Sequence, residues 1–148
     1  GTPHWNPEAR GSLGELTRDS YRCRIARAAL EGSALSVSSR VGLAEHALGH
    51  GRRELAVEGG AAASDPLLQA HSDGTGLTVR RPASLESTAR GVALFAGLQA
   101  GVVNDLNNLA RHRRDGAQLF QPQCDAAERK AWRTRWDNAV TRSLNWHE

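Results

Sequence analysis

The stretch ELAVEGGAAASDP, from Glu54 to Pro66, limits the folds open to this chain more than any other segment. Its first four residues are a short, mostly apolar run that leads into turn residues, and they predict a strand over 54–57. Glu58-Gly59-Gly60 breaks that strand. After three alanines, Ser64 offers a short capping oxygen and Pro66 a backbone already set for a first helical turn, so a helix is expected to run to about Ser72. Leu77 to Val79 predicts a second short strand, closed by Arg80-Arg81-Pro82. The order is therefore strand, double glycine, capped helix, strand.

The flanking chain fits the same pattern. Residues 1–10 read as an ordered loop and Leu13 to Leu16 as a short strand. Asp19 or Ser20 can cap a long helix in which Ile25, Ala29, Leu30, Ala34, Val37, Val41, Ala44 and Leu48 recur at helical steps before Gly49 and Gly51 end it. A second long helix is expected over 86–103. There Ala89, Ala93, Gly97 and Gly101 form one nearly bare ridge. An interior glycine costs about 1 kcal/mol against alanine, so close approach of another backbone is the expected compensation. Asp125 with Glu128 resembles a capping box opening a last helix, where Trp132, Trp136, Val140 and Leu144 share one face for core packing. Interleaved strands and helices give the class α/β.

Charge narrows the function classes. Lys plus Arg is 19 and Asp plus Glu 16, and Lys130 is the only lysine. The arginines are scattered along the chain, not gathered on one element, so nucleic-acid binding is not expected. Cys23 and Cys124 stand far apart in sequence and predict reduced, buried thiols. No apolar run reaches membrane-span length and no secretory leader pattern opens the chain, which predicts a cytoplasmic protein without a membrane partner. His46 and His50 have metal-holding spacing, but no third ligand stands nearby, so no metal site is expected. No nucleophile elbow, Cys/His pairing or carboxylate dyad is present, so no catalytic residue is assigned. The one chemistry-bearing signal is the Gly59-Gly60 turn, where bare backbone can approach a nucleotide.

The motif order resembles the C-terminal part of the FGGY carbohydrate-kinase family, and within it the glycerol kinases. PHWNPEARG with LTRDS is similar to the family's PYWDPYARG and LTRG. LAVEGGAAASDPLLQAHSD resembles its adenosine-side DGGA turn, helix and closing QSD. VRRPASLESTARGVALFAGLQAG is similar to VERP and ETTALGAAYLAGLAVG. FQPQCDAAERKAWRTRWDNAVTRSLNW carries its FxP, ER and W…AV.RS..W ending. The similarity runs from Pro3 to Trp146.

The resemblance implies a ribonuclease-H-like half of the actin-like ATPase fold, an incomplete second domain, with residues 1–148 forming the nucleotide-side domain and the N-terminal domain absent. It implies phosphoryl transfer from ATP to glycerol, giving sn-glycerol 3-phosphate, with Mg²⁺ on the phosphates held mainly by parts outside this chain. Gly60, with Gly59 beside it, falls at the family's nucleotide-binding glycine, and Ser64 at the asparagine near adenine. ATP or ADP would bind here, and glycerol through the absent domain. The ridge helix would cross a partner helix at the interdomain hinge.

Departures are Glu58 for aspartate, Ser64 for asparagine, Ser36 for glutamine, Arg90 for leucine, and Asp65-Pro66 for asparagine and an aromatic. The loss of the asparagine amide weakens the expected adenine contact. The chain opens at Gly1 and holds no methionine, so a processed product, an excised domain or a fragment is expected; the resemblance puts the family's catalytic aspartate N-terminal to Gly1, which implies that this chain alone is inactive. Another FGGY sugar kinase, or a non-catalytic remnant serving as an interaction domain, are the alternatives. A homo-oligomer is left open.

Overall fold

The computed structural model describes residues 3–105 and 116–144. Helix α1 (Arg22–Leu48) is followed by β1 (Glu54–Ala56), a 3-10 turn (Gly60–Ala63), α2 (Asp65–Thr75), β2 (Thr78–Arg81), α3 (Ser87–Gln99), β3 (Gln118–Phe120) and α4 (Ala126–Leu144). The strands lie in the order β1-β2-β3. β1 and β2 are parallel, with Leu55 beside Val79, and β3 runs antiparallel to β2, with Phe120 beside Val79. Because α2 lies between two parallel strands, the predicted strand–glycine–helix–strand run is a βαβ unit.

Residue alternation sends Leu55, Val79 and Phe120 to one face of the sheet. With Ala62 and Leu68 they form the hydrophobic core beneath α2. The opposite face carries Glu54, Ala56, Thr78, Arg80 and Leu119, and Leu119 stands half exposed. α1 packs against α2 at a close approach, where a Cβ on Gly74 would lie 3.7 Å from the Ala34 backbone. Ser38, fully buried, locks that contact by donating to the Gly74 carbonyl at 2.7 Å, while Arg133 of α4 donates to the Ser38 hydroxyl at 2.7 Å. α4 lies across α1 where Gly32 leaves room for the Trp136 ring.

Several sequence expectations need correction. Residues 13–16 form no strand: they have no ladder partner among the described residues, and Leu13 and Leu16 stand exposed. α1 starts at Arg22, after Tyr21 and with no side-chain cap, because the Ser20 hydroxyl instead accepts from the Thr17 amide at 2.8 Å in the preceding turn. α2 continues one turn past Ser72, to Thr75. α3 ends at Gln99, not 103, since Gly101 takes φ +70° and turns the chain back. Both thiols are free as expected, but Cys23 is exposed and Cys124 only half-buried. Trp132 and Trp136 are likewise half-buried, not core residues.

Candidate nucleotide-contacting turn

The three residues singled out from sequence lie together at the carboxyl end of the parallel pair, where open α/β sheets place their ligands. β1 leads into Val57, whose amide donates to the Arg80 carbonyl at 3.0 Å, extending the ladder by one residue. Gly59 then takes φ 93° and ψ 175°, a region essentially reserved for glycine, and its amide donates to the Leu85 carbonyl at 3.1 Å. That bond fixes the turn to the segment joining β2 and α3. Gly60 opens the 3-10 turn, and a Cβ added at either glycine would meet nothing within 4 Å. The backbone at this corner is therefore open on its outer side.

Ser64 ends the 3-10 turn and caps α2. Its hydroxyl accepts from the Leu67 amide at 3.4 Å, and Pro66 occupies the first turn as expected. The 3-10 turn and α2 both start at this corner, so the positive ends of their peptide dipoles lie toward it. Acting as a cap uses the Ser64 hydroxyl as an acceptor and leaves its proton to donate.

Sequence reading missed Arg81, taken there only as part of a strand closure. Its guanidinium donates to the Ala62 carbonyl at 3.0 Å and pairs with Asp65 at 2.6 Å. It also bonds Gln118 and lies 5.4 Å from the centroid of the Phe120 ring. The signal was present in the period of two: Arg81 shares a sheet face with Val79, so it had to point toward α2. Also missed was a cleft of about 330 Å³ beside the turn, lined by Glu58, Ser84, Ser87, Thr88 and Arg90 among others. A larger cavity, about 480 Å³, lies away from the turn between residues 12–15, α1 and α4, with Trp132 and Trp136 in its wall.

The far end of α2 is held by a second polar knot. The Asp73 carboxylate accepts from the Gln123 amide at 2.6 Å, the Cys124 amide at 3.3 Å and the Gln69 amide group at 3.1 Å. The Asp73 carbonyl accepts from Arg129 at 2.8 Å and from the Cys124 thiol at 3.2 Å. Burial pushes that thiol's pKa up, because the thiolate would lose its hydration. His71 on α2 is buried, its Nδ1 has no hydrogen-bond partner, and burial lowers its pKa. Among the described residues no group of three His, Cys, Asp or Glu side chains could hold a metal ion, and no helix is long and apolar enough to cross a membrane.

Residues 1–100 match the C-terminal domain of the FGGY family of carbohydrate kinases. The chain belongs to that family. Similarity continues beyond residue 100: over all 148 residues the chain is 40% identical to a glycerol kinase of Citrifermentans bemidjiense and 42% identical to one of Rhodopirellula baltica, covering 30% and 27% of those proteins. A crystal structure of Plasmodium falciparum glycerol kinase with ADP matches 97% of this chain and 28% of its own, with a TM-score of 0.83 at 28% identity. A xylulose kinase from Lactobacillus acidophilus shares the fold alone, with a TM-score of 0.70 at 20% identity. This FGGY chain thus spans less than a third of the length of these relatives, and its fold is the expected part of the actin-like ATPase fold.

Proposed function

We propose that this chain is the nucleotide-side portion of a glycerol kinase, in which ATP phosphorylates glycerol to sn-glycerol 3-phosphate. The observation that carries the reading is the open Gly59-Gly60 backbone leading into the Ser64-capped helix at the carboxyl end of β1 and β2, within a chain similar throughout to glycerol kinases. Gly59 sets the turn and Gly60 offers bare backbone to the nucleotide. Ser64 keeps a hydroxyl proton for the adenine side, a single donor in place of an amide that both donates and accepts. Dipoles of the 3-10 turn and α2 favour the negative charge of the phosphates. Mg²⁺ would neutralise charge on the phosphates, and its protein ligands and the group that takes the proton from glycerol belong to portions of such kinases outside these 148 residues. All 148 residues are read as one domain. A kinase of this kind works in the cytoplasm, where ATP and glycerol meet.

Glycerol is favoured over pentulose or gluconate as substrate because, among the solved structures that match, identity is 28% to the glycerol kinase against 20% and 19% to the xylulose and gluconate kinases. The test is a titration of the ¹⁵N-labelled chain with ADP, followed by amide chemical shifts. Saturable shifts at Gly59, Gly60 and Ser64 are expected; millimolar ADP that leaves all three unmoved would overturn the nucleotide reading. A coupled assay on the same chain should give no glycerol-dependent ADP release, and turnover above background would show that the chain carries its own catalytic apparatus.

A further inference from the structure

We infer that Arg81 is a positioning residue for the nucleotide turn, acting through the Ala62 carbonyl and the Asp65 carboxylate; this rests on the nucleotide reading above. The guanidinium stands on β2, with its side chain only 18% exposed, and lies on the buried Phe120 ring. From that fixed base it donates to Ala62 inside the 3-10 turn and to Asp65 at the start of α2, the two elements that bracket Ser64. Ala62 also packs against Val79 and Phe120 in the core, and Arg81 adds a directed hydrogen bond from the sheet to the same residue's carbonyl. Five donors in a rigid fork let one arginine hold a carbonyl and a carboxylate at once, which lysine cannot do with the same geometry.

The pair also has an electrostatic role. Asp65 is exposed and lies in the first helical turn, beside the backbone that would meet an anion. Unpaired, it would repel phosphate; paired with Arg81, its field is largely cancelled at the distance of a bound phosphate. Removing Arg81 therefore loosens the turn and uncovers a negative charge at its rim in one step.

The experiment compares Arg81→Met, Arg81→Lys, Asp65→Asn and the double variant Arg81→Met/Asp65→Asn in the 148-residue chain, with ADP as probe and amide shifts as readout. Arg129→Met is the control. It removes a similar arginine tie to the Asp73 carbonyl at the opposite end of α2 and touches neither Ala62 nor Asp65. Arg81→Met should weaken ADP binding about ten-fold, the loss of one charge-assisted bond. Arg81→Lys, which keeps the charge, should recover part of that loss. Adding Asp65→Asn to Arg81→Met should also recover part, because the uncovered charge is gone. Arg129→Met should lower the melting temperature yet leave ADP affinity within about two-fold. ADP binding by Arg81→Met equal to that of the parent chain would overturn the inference, as would an equal loss in Arg129→Met. A parent chain blind to ADP would instead defeat the nucleotide reading on which it stands.

Discussion

At the scale of single residues, two side-chain environments make predictions that sequence could not. Gly59 sits at φ 93° and ψ 175° with open space where a Cβ would be, so the constraint is backbone strain and not crowding. Gly59→Ala should destabilise the chain by about 1–3 kcal/mol, while Gly60→Ala, with neither constraint, should cost under about 1 kcal/mol. Urea denaturation separates the two. His71 carries the pH dependence. Burial lowers its native pKa below the ordinary 6.5, so the unfolded chain takes up the proton first as pH falls. Stability is therefore full above pH 6.5 and declines from there down to the native pKa, where it levels off. The melting temperature measured between neutral and mildly acid pH should fall in the parent chain, and His71→Gln should flatten that part of the curve. Glycine pairing was legible in sequence; the burial of His71 was not, since nothing in a heptad of neighbours states which helix face meets the sheet.

At the scale of elements, caps written in the sequence divide by what competes for them. Asp125 caps α4 as read: its carboxylate accepts from the Ala127 and Glu128 amides, each at 2.8 Å, and its own amide donates to Glu128 at 3.2 Å. Ser64 caps α2 through one longer bond of 3.4 Å. Asp125→Ala should thus cost about 1–2 kcal/mol and Ser64→Ala about 0.5–1 kcal/mol, read by chemical denaturation. Ser20 was an equally good candidate by residue type, but a preceding turn had already claimed its hydroxyl. The small-residue ridge of α3 has a similar history. Its Gly97-Gly101 half is used within the chain: Gly101 turns the backbone at φ +70°, the Val102 and Val103 amides donate to the Gly97 carbonyl at 2.9 and 3.1 Å, and the Val103 side chain lies over Gly97. A Cβ at Gly97 would come within 2.8 Å of Val103. So Gly97 is compensated by its own C-terminal return, while Ala89, Ala93 and Gly101 remain exposed.

At the scale of the whole molecule, surface area tells how the fold is organised. A compact protein of 16.0 kDa should expose about 7,400 Å² and bury about two-thirds of its extended surface. This chain exposes 10589 Å², so it buries little more than half. Among the described elements, α3 has no buried residue and presents Val92, Phe95 and, just past its end, Val102 at 67%, 72% and 78% exposure. Bare apolar surface of this kind drives association. Phe95→Glu should reduce self-association measured by light scattering at high concentration, with the melting temperature nearly unchanged because the ring supports no contact within the core. The sequence by itself determined the local order of strand, glycine turn, capped helix and strand, together with the family, because strand period, capping chemistry and backbone freedom act over a few neighbouring residues. Only the tertiary structure decided that Arg81 reaches the 3-10 turn and the start of α2, that Asp73 anchors the entry to α4 and that α3 stands uncovered. Those depend on which faces meet across distant segments, and a side chain's position in the chain does not state what will lie opposite it.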